Sequence, residues 1–144
     1  MIAVGGLDHV GIRVSEFART VNFFQLFGFG VIREDPQERI VVLRNAAGVE
    51  INLLDSANTQ LTGSNILMDQ AIRHPGFTHI ALQVEDIDYA LRDIESVGIT
   101  ITEGPVTFGD GKTSIFLRDP DRNVIELTQL PVFQKLRHEG EAVR

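Results

Sequence analysis

The stretch Leu7-Asp8-His9-Val10-Gly11-Ile12-Arg13-Val14 returns seventy residues later as Phe77-Thr78-His79-Ile80-Ala81-Leu82-Gln83-Val84. A repeat of this kind constrains a fold more than a lone motif does, because both copies must build the same supersecondary unit. In each copy apolar residues alternate with small or polar ones, the period of a half-buried strand. Val10, Ile12 and Val14, or Ile80, Leu82 and Val84, take one face; His9, Gly11 and Arg13, or His79, Ala81 and Gln83, take the other. Each histidine is thus aimed away from the oily face, beside a residue of little bulk, and this leaves room for a ligand.

The register continues beyond the strand. Ser15 reads as the N-cap of a helix over 16–27, with Phe17, Val21, Phe24 and Phe27 at helical spacing as its core face and Gly28 as its stop. In the second copy Ile87, Leu91, Ile94 and Val97 answer those residues, and Gly98 answers Gly28. Strand-like runs follow each helix, at 29–33, 39–44 and 49–54, then at 99–102, 112–118 and 124–127. Turn chemistry separates them: Asp35-Pro36, Asn45 to Gly48, Gly104-Pro105, Gly109-Asp110-Gly111 and Asp119 to Asn123. The glycine-rich turn lacks the spacing of a phosphate loop. The expected fold class is α+β, two βαβββ modules at about 5–57 and 76–130 sharing one domain that spans 1–144. A linker over 58–75 holds a helical turn or lies over a pocket, and a tail over 131–144 begins as a short amphipathic stretch.

Composition narrows the partners. A net charge of -7 with scattered Lys and Arg offers no basic stripe, so neither nucleic acid nor an anionic membrane surface is an expected partner, and a small molecule is. The absence of cysteine removes disulfides and thiolate metal sites, leaving any metal to His, Asp, Glu, amides or water. Met1 to Gly6 has neither the basic start nor the long apolar run of a secretion signal, and no run approaches the roughly 20 apolar residues of a membrane span. A cytoplasmic location is the expectation.

In the last strand, Ile125 and Leu127 take the oily face, so Glu126 points with Val124 and Thr128 to the other side. An isolated charge on a partly covered sheet face costs several kcal/mol, on the order of what a divalent cation would offset. Two histidines from repeat-related strands and one such glutamate suit a borderline metal with open coordination positions.

The order His9, His79, Glu126 on these strands, the duplicated modules, and the signature Thr78 to Val84 followed by Asp119-Pro120-Asp121 and Val124-Ile125-Glu126-Leu127 resemble the vicinal oxygen chelate superfamily. That group includes glyoxalase I, methylmalonyl-CoA epimerase, fosfomycin resistance enzymes, extradiol dioxygenases and bleomycin-binding proteins. The resemblance runs from about Leu7 to Leu130. It implies paired, cupped mixed sheets, a divalent ion (Fe, Mn, Ni, Co or Zn) held in the cup, and a homodimer in which the ion lies within one subunit or across two.

Aligning the modules by their last strands places Asn52 opposite Glu126, where glyoxalase I usually has glutamate and the epimerase glutamine. Asn52 is a fourth metal ligand or a brace for a neighbouring strand. Glu50 shares the face of Asn52 about 6.6 Å away at ~3.3 Å per residue, a position suited to a base beside the ion or to a solvated, bridging carboxylate. Glu126 and Glu50 are accordingly the candidate catalytic carboxylates, and His9, His79, Glu126 and Asn52 the candidate metal ligands. Arg13, Gln83, Phe116 and Arg118 share pocket-side parity, while His74 and His138 read as structural or surface histidines.

Three protein ligands leave about three positions of an octahedral site for a substrate with two neighbouring oxygens. A hydroxy ketone, hemithioacetal or thioester would then undergo isomerase, lyase or epimerase type proton transfer; with ferrous iron and a catechol the same set suits ring-cleaving oxygen chemistry. A bleomycin-type binder, the third class, resembles this fold but lacks the His and Glu set.

Overall fold

The computed structural model describes residues 1–58 and 63–131; the expected amphipathic tail of Val132, Phe133, Gln134, Lys135 and Leu136, and the reading of His138, lie outside the described residues. The chain divides into two compact units, Met1–Ser64 and Asn65–Arg144.

In the first unit β1 (Val10–Arg13) leads to helix α1 (Phe17–Gln25), then β2 (Gly30–Asp35), β3 (Ile40–Arg44) and β4 (Glu50–Leu54). The sheet order is β1-β4-β3-β2, with β1 parallel to β4 and the remaining pairs antiparallel. The second unit repeats the plan: β5 (His79–Gln83), α2 (Ile87–Ser96), β6 (Ile101–Thr107), β7 (Thr113–Arg118) and β8 (Val124–Gln129), in the order β5-β8-β7-β6. Each unit is therefore a βαβββ module with a four-stranded mixed sheet, as the α+β reading expects.

Period-two patterning decides which face is buried. Val14, Leu43, Ile51 and Leu53 are fully buried in the first unit, and Ile115, Leu117 and Ile125 in the second. Their helices supply Phe24 and Ile94 to the same interiors. Truncating one of these aliphatic residues to alanine costs about 2–5 kcal/mol. No helix among the described residues is long and apolar enough to cross a membrane.

The helix ends show both agreement and correction. Gly28 and Gly98 adopt φ of 78° and 75°, and the following amides, Phe29 N and Ile99 N, bond back to Phe24 O and Ile94 O at 3.2 and 3.1 Å. A left-handed glycine thus closes both helices. At the start, however, Glu16 rather than Ser15 occupies the N-cap of α1, without a side-chain cap bond, whereas Asp86 caps α2 through bonds from Asp88 N and Tyr89 N. The buried stripe of α1 is Thr20, Phe23 and Phe24, with Phe17, Val21 and Phe27 half-buried, so the packed face is rotated from the one expected.

Gly104-Pro105 does not end a strand. β6 runs through it as Ile101–Thr107, with register shifts on both sides of Glu103. Proline removes a ladder donor, a loss tolerated at the bulged edge of a sheet, and β6 is an edge. Gly104 is required by its φ of 97° and by space, since a Cβ there would lie 2.6 Å from the Ser114 carbonyl oxygen.

Of the linker read over 58–75, the part from Asn65 onward belongs with the second unit. Asn65 Oδ1 accepts from Leu67 N and Met68 N at 2.9 and 3.0 Å, and Asp69 N donates to Asn65 O at 2.8 Å, closing one capped turn.

Candidate functional site

Residues paired across a sheet share a face. In the second unit the register aligns His79 with Val124 and Arg118, Ala81 with Glu126 and Phe116, and Gln83 with Thr128 and Ser114. These rows form the face opposite the apolar interior. His79 and Glu126 stand one pleat repeat apart on neighbouring strands, and the methyl group of Ala81 beside Glu126 leaves the imidazole free to reach the carboxylate. His79 Nε2 lies 3.1 Å from Glu126 Oε2, with the Glu126 side chain 12% exposed.

Both partners are held from behind. Ser114 Oγ lies 2.6 Å from Glu126 Oε1, Thr78 Oγ1 lies 2.9 Å from His79 Nδ1, and the Phe116 ring meets the imidazole edge-on at 6.2 Å between centroids. The Glu126 charge is felt at Lys112, whose pKa is raised chiefly by its hydrogen bond to Asp110 and in smaller part by Glu126.

The first unit carries the equivalent positions with different chemistry. Asn52 pairs with Gly11 and Val42, as Glu126 pairs with Ala81 and Phe116. Its Oδ1 is buried and has no hydrogen-bond partner among the described residues, a state that costs about 1–3 kcal/mol. His9 precedes β1 and places Nδ1 2.7 Å from Asp8 Oδ2. Glu50 is engaged by Arg44 across the β3–β4 ladder, Nη2 at 2.6 Å and Nε at 3.1 Å. Arg13 donates from Nε to Ser56 Oγ at 3.2 Å. A cleft of about 400 Å³ in this unit, lined by Phe17, Glu34, Arg39 and Asp55 among others, includes none of the candidate site residues.

Two of the four candidate ligands, His79 and Glu126, are thus brought together, and among the described residues no three His, Asp or Glu side chains gather to hold one ion. The donor chemistry of the pair fits a divalent metal. Two ligands at about 2.1 Å from one ion in cis positions stand about 3 Å apart, the separation of His79 Nε2 and Glu126 Oε2. Asn52 Oδ1, an orphaned carbonyl acceptor, is likewise suited to a cation.

Arg118 is no free rim charge: Nη1 donates to Arg122 O at 2.7 Å and Nη2 to Asp69 Oδ1 at 2.9 Å. The Asp69 carboxyl is held below its ordinary pKa, first by the Asn65 amide and then by the charges of Arg118 and Arg122. In the adjoining turn burial pushes the Asp119 carboxyl up, against bonds from Asn123 and Asp121 that lower it. Ser114 is the residue that sequence reasoning passed over; Thr128 it places on the site face without a role. The alternation Ser114, Phe116, Arg118 already put the serine on the site face, but a serine in a strand gives no signal until its partner is known.

Comparison with known proteins agrees with this architecture. The chain is 26% identical over 131 residues to the glyoxalase domain-containing protein RDO1 of Mycosarcoma maydis, covering 88% of this chain and 69% of that protein. It is 29% identical over 126 residues to lactoylglutathione lyase GLX1 of Arabidopsis thaliana, covering 84% of this chain and 43% of the lyase. The crystal structure of virulence protein STM3117 from Salmonella typhimurium matches with a TM-score of 0.65 at 26% identity, covering 90% of this chain and 99% of that one. The profile that describes the Glyoxalase/Bleomycin resistance protein/Dioxygenase superfamily matches residues 6–127. With two βαβββ modules and a profile match across most of its length, the chain belongs to the Glyoxalase/Bleomycin resistance protein/Dioxygenase superfamily.

Proposed function

We propose that the chain is a metal-dependent enzyme of the glyoxalase type that chelates a small substrate through adjacent oxygens and carries out isomerase, lyase or epimerase proton transfer. The observation that supports it most is the His79 Nε2–Glu126 Oε2 approach of 3.1 Å, on a face where Ser114 secures the second carboxylate oxygen. In this reading His79 and Glu126 are two metal ligands, and His9 and Asn52, assigned by the family resemblance, are the others. A bound divalent ion supplies Lewis acidity to the chelated oxygens.

The chain's own residues divide the remaining work. Glu126 contributes a carboxylate oxygen, the Phe116 ring packs edge-on against the imidazole, and Thr78 fixes the orientation of the ring. Glu50 is the candidate for moving a proton, and its pairing with Arg44 orients it along the β3–β4 ladder. The protein acts in this reading as a cytoplasmic homodimer on a small molecule, with neither nucleic acid nor membrane as partner.

Elemental analysis of protein purified without chelator tests the reading. Nickel, cobalt, zinc or manganese bound near one per chain is expected, together with solvent-deuterium incorporation next to the carbonyl of a hydroxy ketone or hemithioacetal substrate. Iron with oxygen uptake on a catechol panel would replace it by the extradiol dioxygenase reading, and protein that neither retains nor takes up divalent metal would replace it by a non-catalytic small-molecule binder.

A further inference from the structure

We propose that Ser114 is the positioning residue that sets the orientation of Glu126, so that Glu126 offers a single oxygen, Oε2, toward His79. The assignment of that oxygen as a metal donor rests on the function proposed above; the orientation itself does not. Ser114 is 0% exposed, and its hydroxyl lies 2.6 Å from Glu126 Oε1 and 3.0 Å from Thr128 Oγ1. A hydroxyl has one proton to give, and a carboxylate is the stronger acceptor. Ser114 therefore gives that proton to Glu126 Oε1, with Thr128 Oγ1 the weaker acceptor beside it.

The result is a directed bond from Ser114 to Glu126 Oε1 that leaves Oε2 as the free end facing His79 Nε2 at 3.1 Å. With Oε1 occupied, Glu126 meets an ion through one oxygen rather than two. The edge strand fixes the backbone of Ser114. Val106 of β6 pairs with Ser114, and the backbone of Gly104 comes so near that a Cβ there would stand 2.6 Å from the Ser114 carbonyl oxygen. The full burial of Ser114 keeps water from a hydroxyl that would otherwise exchange partners with it. Burying the donor makes the bond to the carboxylate stronger and its direction fixed.

The test compares wild type with Ser114→Ala and Ser114→Thr, the second retaining the hydroxyl. Crystal structures of the metal-free proteins should show the Glu126 carboxylate turned away from His79 in Ser114→Ala and in place in Ser114→Thr. Calorimetric titration with zinc or nickel should show affinity weaker by about 10–100-fold in Ser114→Ala, with Ser114→Thr near wild type. An unchanged Glu126 orientation in Ser114→Ala overturns the proposal, as do equal affinity losses in both variants, which would assign the effect to packing. If wild type binds no divalent metal the proposed function fails by itself, and the metal-free Glu126 orientation still decides the role of Ser114.

Discussion

In the first unit the row Ile40–Leu54 covers the face beside Asn52 with aliphatic carbon; in the second unit the equivalent row, Ser114–Thr128, carries two hydroxyls, and that of Ser114 bonds Glu126. The next row out repeats the contrast. Arg44 faces Glu50 and pairs with it, while Arg118 faces Val124 and turns to Asp69. In the hairpins beyond, the neutral Asn45 accepts from Val49 N at 2.9 Å, and the ionisable Asp119 accepts from Asn123 N at 2.8 Å. Backbone register has been kept through the duplication and side-chain chemistry has not. The second unit holds a carboxylate in a built setting; the first offers an amide carbonyl that no described residue satisfies.

That asymmetry predicts unequal consequences for matched changes. The largest is at the metal. His79→Ala should abolish retention of a divalent ion, read by elemental analysis, whereas Glu50→Gln should lower turnover and leave the ion in place. Metal lost from Glu50→Gln would mean that the first unit contributes a carboxylate as ligand and that the units are more alike than described.

Next in size is Gly104→Ala, which adds backbone strain at φ 97° and a contact at 2.6 Å with the Ser114 carbonyl oxygen. Strain and contact together should cost about 2–3 kcal/mol in urea denaturation. The same substitution at Gly30, where a Cβ meets nothing, should cost far less. Asn52→Leu sharpens the contrast by its sign. Removing the orphaned acceptor should stabilise the metal-free protein by about 1 kcal/mol and weaken metal binding; a stability loss instead would mean that Asn52 braces the strand. Smaller again are the caps: Asp86→Ala should cost about 1 kcal/mol, and Glu16→Ala, with no cap bond to lose, should be near neutral.

The least effect is that of pH, read at two carboxylates in the second unit's turns. Asp119 has its folded pKa raised, chiefly by burial, so folding favours its protonated form and stability falls as pH rises from about 3.9, the unfolded value, through the raised folded value. Asp69 runs the other way: its folded pKa is lowered, first by the Asn65 amide, and its contribution is present above the unfolded value and lost as pH falls through the folded one. Carboxyl-carbon NMR should find the Asp119 midpoint above the ordinary aspartate range and that of Asp69 below it. Asn45, the counterpart in the first unit, has no charge to titrate.

Much of this was legible in the sequence because duplication doubles each signal. His9 and His79, Gly28 and Gly98, and the alternation around Asn52 and Glu126 point to the same element twice, which is why topology and facing emerge. What was not legible depends on contacts between distant residues. Gly104-Pro105 looks like a turn until the bulges of an edge strand carry the chain through it. Ser15 looks like a cap, yet the helix starts one residue later. Ser114 has no meaning before β7 and β8 are in register, and the Asp69–Arg118 pair spans 49 residues of sequence.

X-ray absorption fine structure of zinc- or nickel-loaded protein tests the central claim most directly, since it counts imidazoles around the ion. Two in the wild type, one in His79→Ala where any ion can still be loaded, and a nitrogen and oxygen shell throughout are expected. A wild-type ion with no imidazole, or an imidazole count unchanged by His79→Ala, would contradict a site anchored on the second unit.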